Sequence, residues 1–300
     1  MNVLTVIFGG LDTEYLAKWD CPNLRQAEWG PIVVDQLRNE RDVATQITAQ
    51  LITGKTWREN GVGDRKKQFI RYNKPWVRWV EESLLAKVPK GLPKRRGIYQ
   101  TFRWADLTER EYLKEDLTCP SIFDRVPGSE AVYVPAHNPE PSWALGRNIL
   151  DPRWYPELGV HGAVDLLEKN FAWRKRRFFA ALDTDPHPLL MGQFQYIDSA
   201  QHLYLDYVTP ADEGAVEAAY RKIDGLAGEI KERAAGRYDR VLFVSDNGAA
   251  RKDGFRPTHH NRPFYSVDTE LGLGRPNIRD FHDVLLGWVA AEPNPHPVDG

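Results

Sequence analysis

Met191-Gly-Gln-Phe-Gln-Tyr-Ile-Asp198-Ser-Ala-Gln-His202 decides how the chain is read. An apolar run of strand type over residues 191–196 leads directly to a carboxylate and an imidazole four residues apart. A similar arrangement follows in Val241-Leu-Phe-Val-Ser-Asp246-Asn247-Gly248, and a third cluster, His259-His260, lies shortly beyond it. In an open α/β sheet, ligands gather at the carboxyl ends of neighbouring strands. Carboxylate together with imidazole suits zinc, manganese or iron better than calcium. A lone D-x-x-x-H is more often a surface loop or a helix cap. Three such clusters in this order shift the reading to a metal site.

Around these clusters the pattern alternates. Val3–Phe8 reads as a buried first strand closed by the tight turn Gly9-Gly10. Residues 42–52 carry Val43, Ile47 and Leu51 at helical spacing and stop at Gly54, a helix C-terminal glycine. A short helix is expected at 122–126, a strand at 131–134 and a long loop at 137–156, with His137 a loop histidine. His161 is read as a cap for a helix over 163–182. A helix over 212–235, strands Arg240–Val244 and Phe264–Val267, and a closing helix at 278–290 follow. Strands alternating with helices predict one α/β domain, with a mostly parallel central sheet covered on both faces.

The segment 55–104 stands apart. It holds fourteen Lys or Arg against four Asp or Glu, interleaved with Trp57, Trp76, Trp79 and other aromatics. Charge with stacking surfaces suits phosphates or single-stranded nucleic acid. The plainer reading is an amphipathic surface insert whose aromatics pack inward while the cations stay solvated.

Composition narrows the classes. A chain of 300 residues with 42% hydrophobic and 27% charged residues is ordinary for a globular protein. A net charge of −2 gives no general attraction to nucleic acid or membrane. Cys21 and Cys119 are the two cysteines and do not form a disulfide framework, so a reducing cytoplasm is expected. The first eight residues lack the basic flank of a signal peptide. No apolar run approaches the ~20 residues that span a bilayer. No G-x-S-x-G marks a serine hydrolase.

In order, the motifs resemble the alkaline phosphatase superfamily, most closely its type I phosphodiesterase and nucleotide pyrophosphatase branch. Phe8-Gly-Gly-Leu-Asp12 is similar to the family's first-strand turn, and Cys21-Pro-Asn-Leu24 to its P-N-L segment. Residues 45–54, followed by Asn60-Gly61-Val62, are similar to its nucleophile helix. Residues 121–135, Asp198-x-x-x-His202, Ser245-Asp-Asn-Gly248 and Thr258-His-His260 complete the series. The resemblance implies a three-layer α/β sandwich with two metals about 4 Å apart. Asp198, His202 and His259 would hold the first, with His260 as the neighbouring choice.

The second set departs from the family. Gly9 stands where the first-strand Asp belongs, and Asn247 replaces the His of S-D-H-G. Ala44 falls at the nucleophile position with Thr45 beside it; only Asp246 is retained. Asp12 could reach inward for the missing ligand, and Thr45 or Thr48 could supply the nucleophile. The expectation is one divalent ion, zinc or manganese, rather than two. Two functions stay open. One is a metal-dependent hydrolase of phosphate esters, using Thr45 or a metal-bound water. The other is an inactive binding protein on the same scaffold, gripping a nucleic acid or protein through 55–104.

Overall fold

The computed structural model describes residues 1–34, 43–63, 112–139, 159–207, 211–248, 250–253, 256–259 and 262–291. Its centre is β1 (Val3–Phe8), every residue of which is buried. β1 lies parallel between β4 (Leu189–Phe194) and β5 (Arg240–Val244), pairing Val3 with both Leu189 and Arg240. β3 (Glu130–Val132) adds in parallel to β4. On the other side β8 (Phe264–Val267) runs antiparallel to β5, and β2 (Glu28–Pro31) antiparallel to β8. The order is β2-β8-β5-β1-β4-β3. Pro31 is tolerated because β2 is an edge strand, where a missing ladder donor costs little.

Buried parallel strands need cover on both faces, and two cores supply it. On one face Leu4, Val6, Phe8, Phe194 and Phe243 meet Phe178, Phe179 and Leu182 of α5 (Gly159–Leu182). The same face receives Val216, Tyr220 and Ile223 of α7 (Glu213–Ala234). On the other, Val3, Ile7, Met191 and Val244 meet Ile47, Leu51 and Ile52 of α2 (Val43–Thr53). Ile122 of α4 (Ile122–Arg125) and Phe281 and Leu285 of α8 (Asp280–Ala290) complete that layer. The result is a three-layer α/β arrangement. No helix among the described residues is long and apolar enough to cross a membrane.

Several expectations shift. α5 begins at Gly159, so His161 lies inside the helix and does not cap it. The strand expected at 131–134 is Glu130–Val132; beyond it Tyr133 and Ala136 take positive φ, 56° and 61°, which turns the chain out of the sheet. Gly54, at φ 65°, ends α2. The pieces that went unread include α1 (Thr13–Lys18), β2, and the hairpin of β6 (Ala250–Asp253) with β7 (Arg256–His259), and the strand expected over 191–196 is β4, which ends at Phe194 before a helix that was not expected. Of the basic segment 55–104, only 55–63 is described, including the turn of helix α3 (Trp57–Asn60). The rest lies outside the described residues, as does most of the loop expected at 137–156.

α5 approaches β4 so closely that a methyl group at Gly192 would lie 2.4 Å from Phe178 Cδ2. Gly192→Ala should therefore destabilise the fold by about 1–3 kcal/mol, as overpacked cores do. Urea unfolding measures this, and adding Phe178→Leu should recover part of the loss.

Candidate metal centre

β1, β4 and β5 end side by side, and the site is built on the turns that leave them. Strand alternation places Ile7, Met191 and Val244 on one face; two residues further on, Gly9, Gln193 and Asp246 share it. The contacts agree. Gln193 Nε2 donates to Asp246 Oδ2 at 2.8 Å, and a methyl group at Gly9 would lie 3.3 Å from Asp246 Oδ1. Gly9 thus occupies a position from which a longer side chain would touch Asp246.

Asp198 does not sit on a strand. It lies in α6 (Tyr196–Gln201), which starts directly after β4. The helix sets the spacing: His202 Nε2 is 3.9 Å from Asp198 Oδ1, one turn along. Asn247 Nδ2 donates to Asp198 Oδ1 at 3.2 Å, linking the β4 and β5 ends. At His202 the helix widens into a π-helical turn, His202–Tyr207, a geometry frequent at functional sites. β6 packs against this turn, and Ala250 of β6 pairs with His259 of β7. The hairpin therefore carries the His259 backbone toward the His202 turn. His260 lies outside the described residues.

A second network holds the β1 turn against α6. Asp198 N–H donates to Gly9 O at 3.1 Å. Gln201 Nε2 and Tyr220 Oη both donate to Gly10 O, at 2.9 and 3.1 Å. Tyr220 Oη in turn accepts from Asp12 N–H at 3.0 Å. Gly10 has φ 84°, and a methyl group there would come within 2.7 Å of Asp198 N and Cα. Only glycine meets both conditions.

The electrostatics are concentrated on Asp246. The residue is 1% exposed, and burial, then the nearby Asp198 charge, push its carboxyl up to about 7. Gln193 and the backbone amides of Gly10 and Asp246 pull the other way. Its Oδ1 has no partner of ordinary hydrogen-bond geometry, and neither has Asn247 Oδ1. Buried acceptors left so cost about 1–3 kcal/mol each. Carboxylate, imidazole and amide oxygen are donor types that suit a borderline divalent ion such as zinc or manganese, and here the unmet acceptors are those of Asp246 and Asn247. Among the described residues no three His, Cys, Asp or Glu side chains form a ready cage.

Asp12 caps α1: its Oδ1 accepts from Glu14 N–H at 2.8 Å, and Arg262 Nε lies 3.8 Å from its Oδ2. Thr45 is buried in the first turn of α2, which covers the same sheet face as Gly9 and Asp246. Thr48 is buried too, and its Oγ1 has no hydrogen-bond partner. His137 is mostly buried, its ring 4.2 Å from that of Phe123, and burial lowers its pKa. Gln193, Gln201 and Tyr220 escaped sequence reasoning. The one available signal was a polar Gln193 on a strand otherwise apolar.

No protein-family model matches the chain, and no curated protein does. Solved structures similar to it include murine ectonucleotide pyrophosphatase/phosphodiesterase 5. It is 13% identical with a TM-score of 0.39, covering 84% of this chain and 59% of that one. The chain thus spans about three-fifths of that protein's length. An alkaline phosphatase from the Antarctic bacterium TAB5 is also 13% identical, at a TM-score of 0.40, covering 97% of this chain and 98% of that one. The PsFucS1 sulfatase from Pseudoalteromonas sp. is 13% identical at a TM-score of 0.46, covering 97% and 68%.

Two outcomes follow from the geometry. Tyr220→Phe leaves buried groups of the β1 turn unsatisfied and should cost about 1–3 kcal/mol in urea unfolding. In metal-free protein, the raised Asp246 pKa means that the folded state holds the proton more tightly than the unfolded one. Its contribution is full below about pH 4 and is lost as pH rises through about 7. Stability of the wild type, measured relative to Asp246→Asn in the presence of chelator, should therefore fall across that window.

Proposed function

We propose that the chain is a metal-dependent hydrolase of phosphate esters, a phosphodiesterase or phosphatase. The observation that supports this most is the placing of Asp198 and Asp246 just beyond β4 and β5, the two strands that flank β1, with Asp246 Oδ1 buried and unpartnered. Two acids so placed repel, and a bound cation reverses the sign of that interaction. Asp198, His202, His259 and Asp246 are the proposed ligands. A divalent ion held there supplies Lewis-acid polarisation of a phosphoryl oxygen.

The chain's own residues do the rest. Asn247 Nδ2 holds one oxygen of Asp198 and so fixes how that carboxylate faces the site. Gln193 does the same for Asp246. Thr45, on the helix over the same face, is the proposed nucleophile, and it needs activation because a free hydroxyl is a weak one. The compartment proposed is the cytoplasm, in keeping with two unpaired thiols, Cys21 and Cys119.

Gly9 and Asn247 favour a second reading. A site lacking those two ligands fits an inactive scaffold that binds a partner, with segment 55–104 as the proposed grip for nucleic acid or protein. Hydrolysis of bis-p-nitrophenyl phosphate with added zinc or manganese separates the two. A hydrolase should turn over and lose at least ~100-fold in kcat in Thr45→Ala. Metal binding without turnover selects the binding scaffold. Metal binding unchanged in Asp198→Ala and His202→Ala sinks the ligand assignment.

A further inference from the structure

We infer that Arg174 is a positioning residue of the candidate site, acting through Gln193 on Asp246. The inference rests on the metal-site reading above and extends it to a residue of α5, away from the strand ends.

Arg174 opens the run Arg174-Lys-Arg-Arg177, four cations in a row that as sequence alone suggest a solvated helix face. The run does not behave as one unit. Arg176 and Arg177 are exposed, whereas Arg174 is 7% exposed. Taking a guanidinium out of water is costly unless good hydrogen bonds replace the lost hydration. Arg174 Nη1 donates to Gln193 O at 3.0 Å and Nε to Asn170 Oδ1 at 3.2 Å. The guanidinium carbon lies 5.5 Å from the centre of the Tyr133 ring. A planar fork with fixed donors serves such partners together, which the point charge of a lysine does less well.

The place of the Gln193 carbonyl explains the bond. β3 pairs with β4 no further than Val132 with Gly192, and Tyr133, at φ 56°, then turns the chain out of the sheet. Gln193 is held on the β1 side, opposite Ile7. Arg174, lying over Tyr133, takes up its carbonyl where β3 leaves off. The residue before it, Gly192, has no side chain to brace the backbone, and Phe178, one turn beyond Arg174, packs against it. α5 thus braces two successive residues of the β4 end. The second is the one whose side chain reaches the site: Gln193 is 3% exposed, and its Nε2 donates to Asp246 Oδ2 at 2.8 Å. That bond sets the rotation of the carboxylate and leaves its oxygens lone pairs for an ion. Arg174, Gln193 and Asp246 form one buried line from α5 to the end of β5.

A double-mutant cycle tests this. Purified full-length chain, stripped with chelator, is titrated calorimetrically with zinc or manganese alone, and each variant is checked for native circular dichroism. Arg174→Met should lower affinity for the ion about 10-fold, as loss of outer support for a ligand does. Gln193→Met keeps the carbonyl that Arg174 holds and removes only the amide that reaches Asp246. On that background Arg174→Met should cost nothing further, because its route to the carboxylate is already cut. A merely structural role would leave the same loss on both backgrounds, and that result would overturn the inference. Wild-type affinity in folded Arg174→Met would overturn it too, with the metal-site reading intact. Should Arg174→Met not fold, Arg174→Lys, which keeps the charge and loses the fork, carries the same cycle under the same two criteria. A wild type that binds neither ion would remove the metal-site reading and the role of Arg174 together.

Discussion

The whole structure depends on the complete burial of β1. Parallel pairing with β4 and β5 leaves its six residues no solvent on either edge, so both faces must be apolar and both must be covered. That requirement draws α5 and α7 to one side and α2 and α8 to the other. It also sets where polar chemistry can occur. Inside the sheet there is nothing to solvate a charge, and the first place a carboxylate can stand is just past the strand ends. Asp198 and Asp246 stand there, and even so Asp246 is nearly inaccessible.

The proximity of these acids is imposed by backbone, not by their mutual attraction. The Gly9-Gly10 turn supplies carbonyls that bind Asp198 N–H, Gln201 and Tyr220. These bonds fix α6 against β1 whatever the protonation of the carboxylates. The fold can therefore hold an electrostatically unfavourable pair, because the cost is borne by a hydrogen-bonded frame around it. Strained or frustrated groups of this kind persist where surrounding structure over-determines them.

Much of the fold was legible in the sequence because its strands are buried on both sides. Val3–Phe8, Arg240–Val244 and Phe264–Val267 are mostly apolar runs ended by Gly, Ser or Asp, and their limits coincide with the observed strands. Short elements without a period were invisible. β2 is four residues, Glu-Trp-Gly-Pro, formed by pairing with β8. α1 is one cap and six residues. In the site, residue types that bind metals could be recognised locally, so Asp198, His202, Asp246 and Asn247 were all marked. Gln193, Gln201 and Tyr220 act on partners 53, 191 and 210 positions away. No local pattern encodes such contacts.

The π-helical turn at His202–Tyr207 has a consequence for how this part of the chain can vary. A π turn is one residue more than an α-helix needs over the same rise, so its position is a matter of chain length and not of any particular side chain. Apart from His202 and the buried Leu203, its residues can be exchanged while the bend is kept, but loss of a single residue would restore α-helical winding. Everything after it would then rotate by about 100°, one residue's share of a 3.6-residue turn. The β6–β7 hairpin that rests on the turn would meet a different surface. Beyond those two positions this stretch should tolerate changes of letter, and throughout it should resist changes of number.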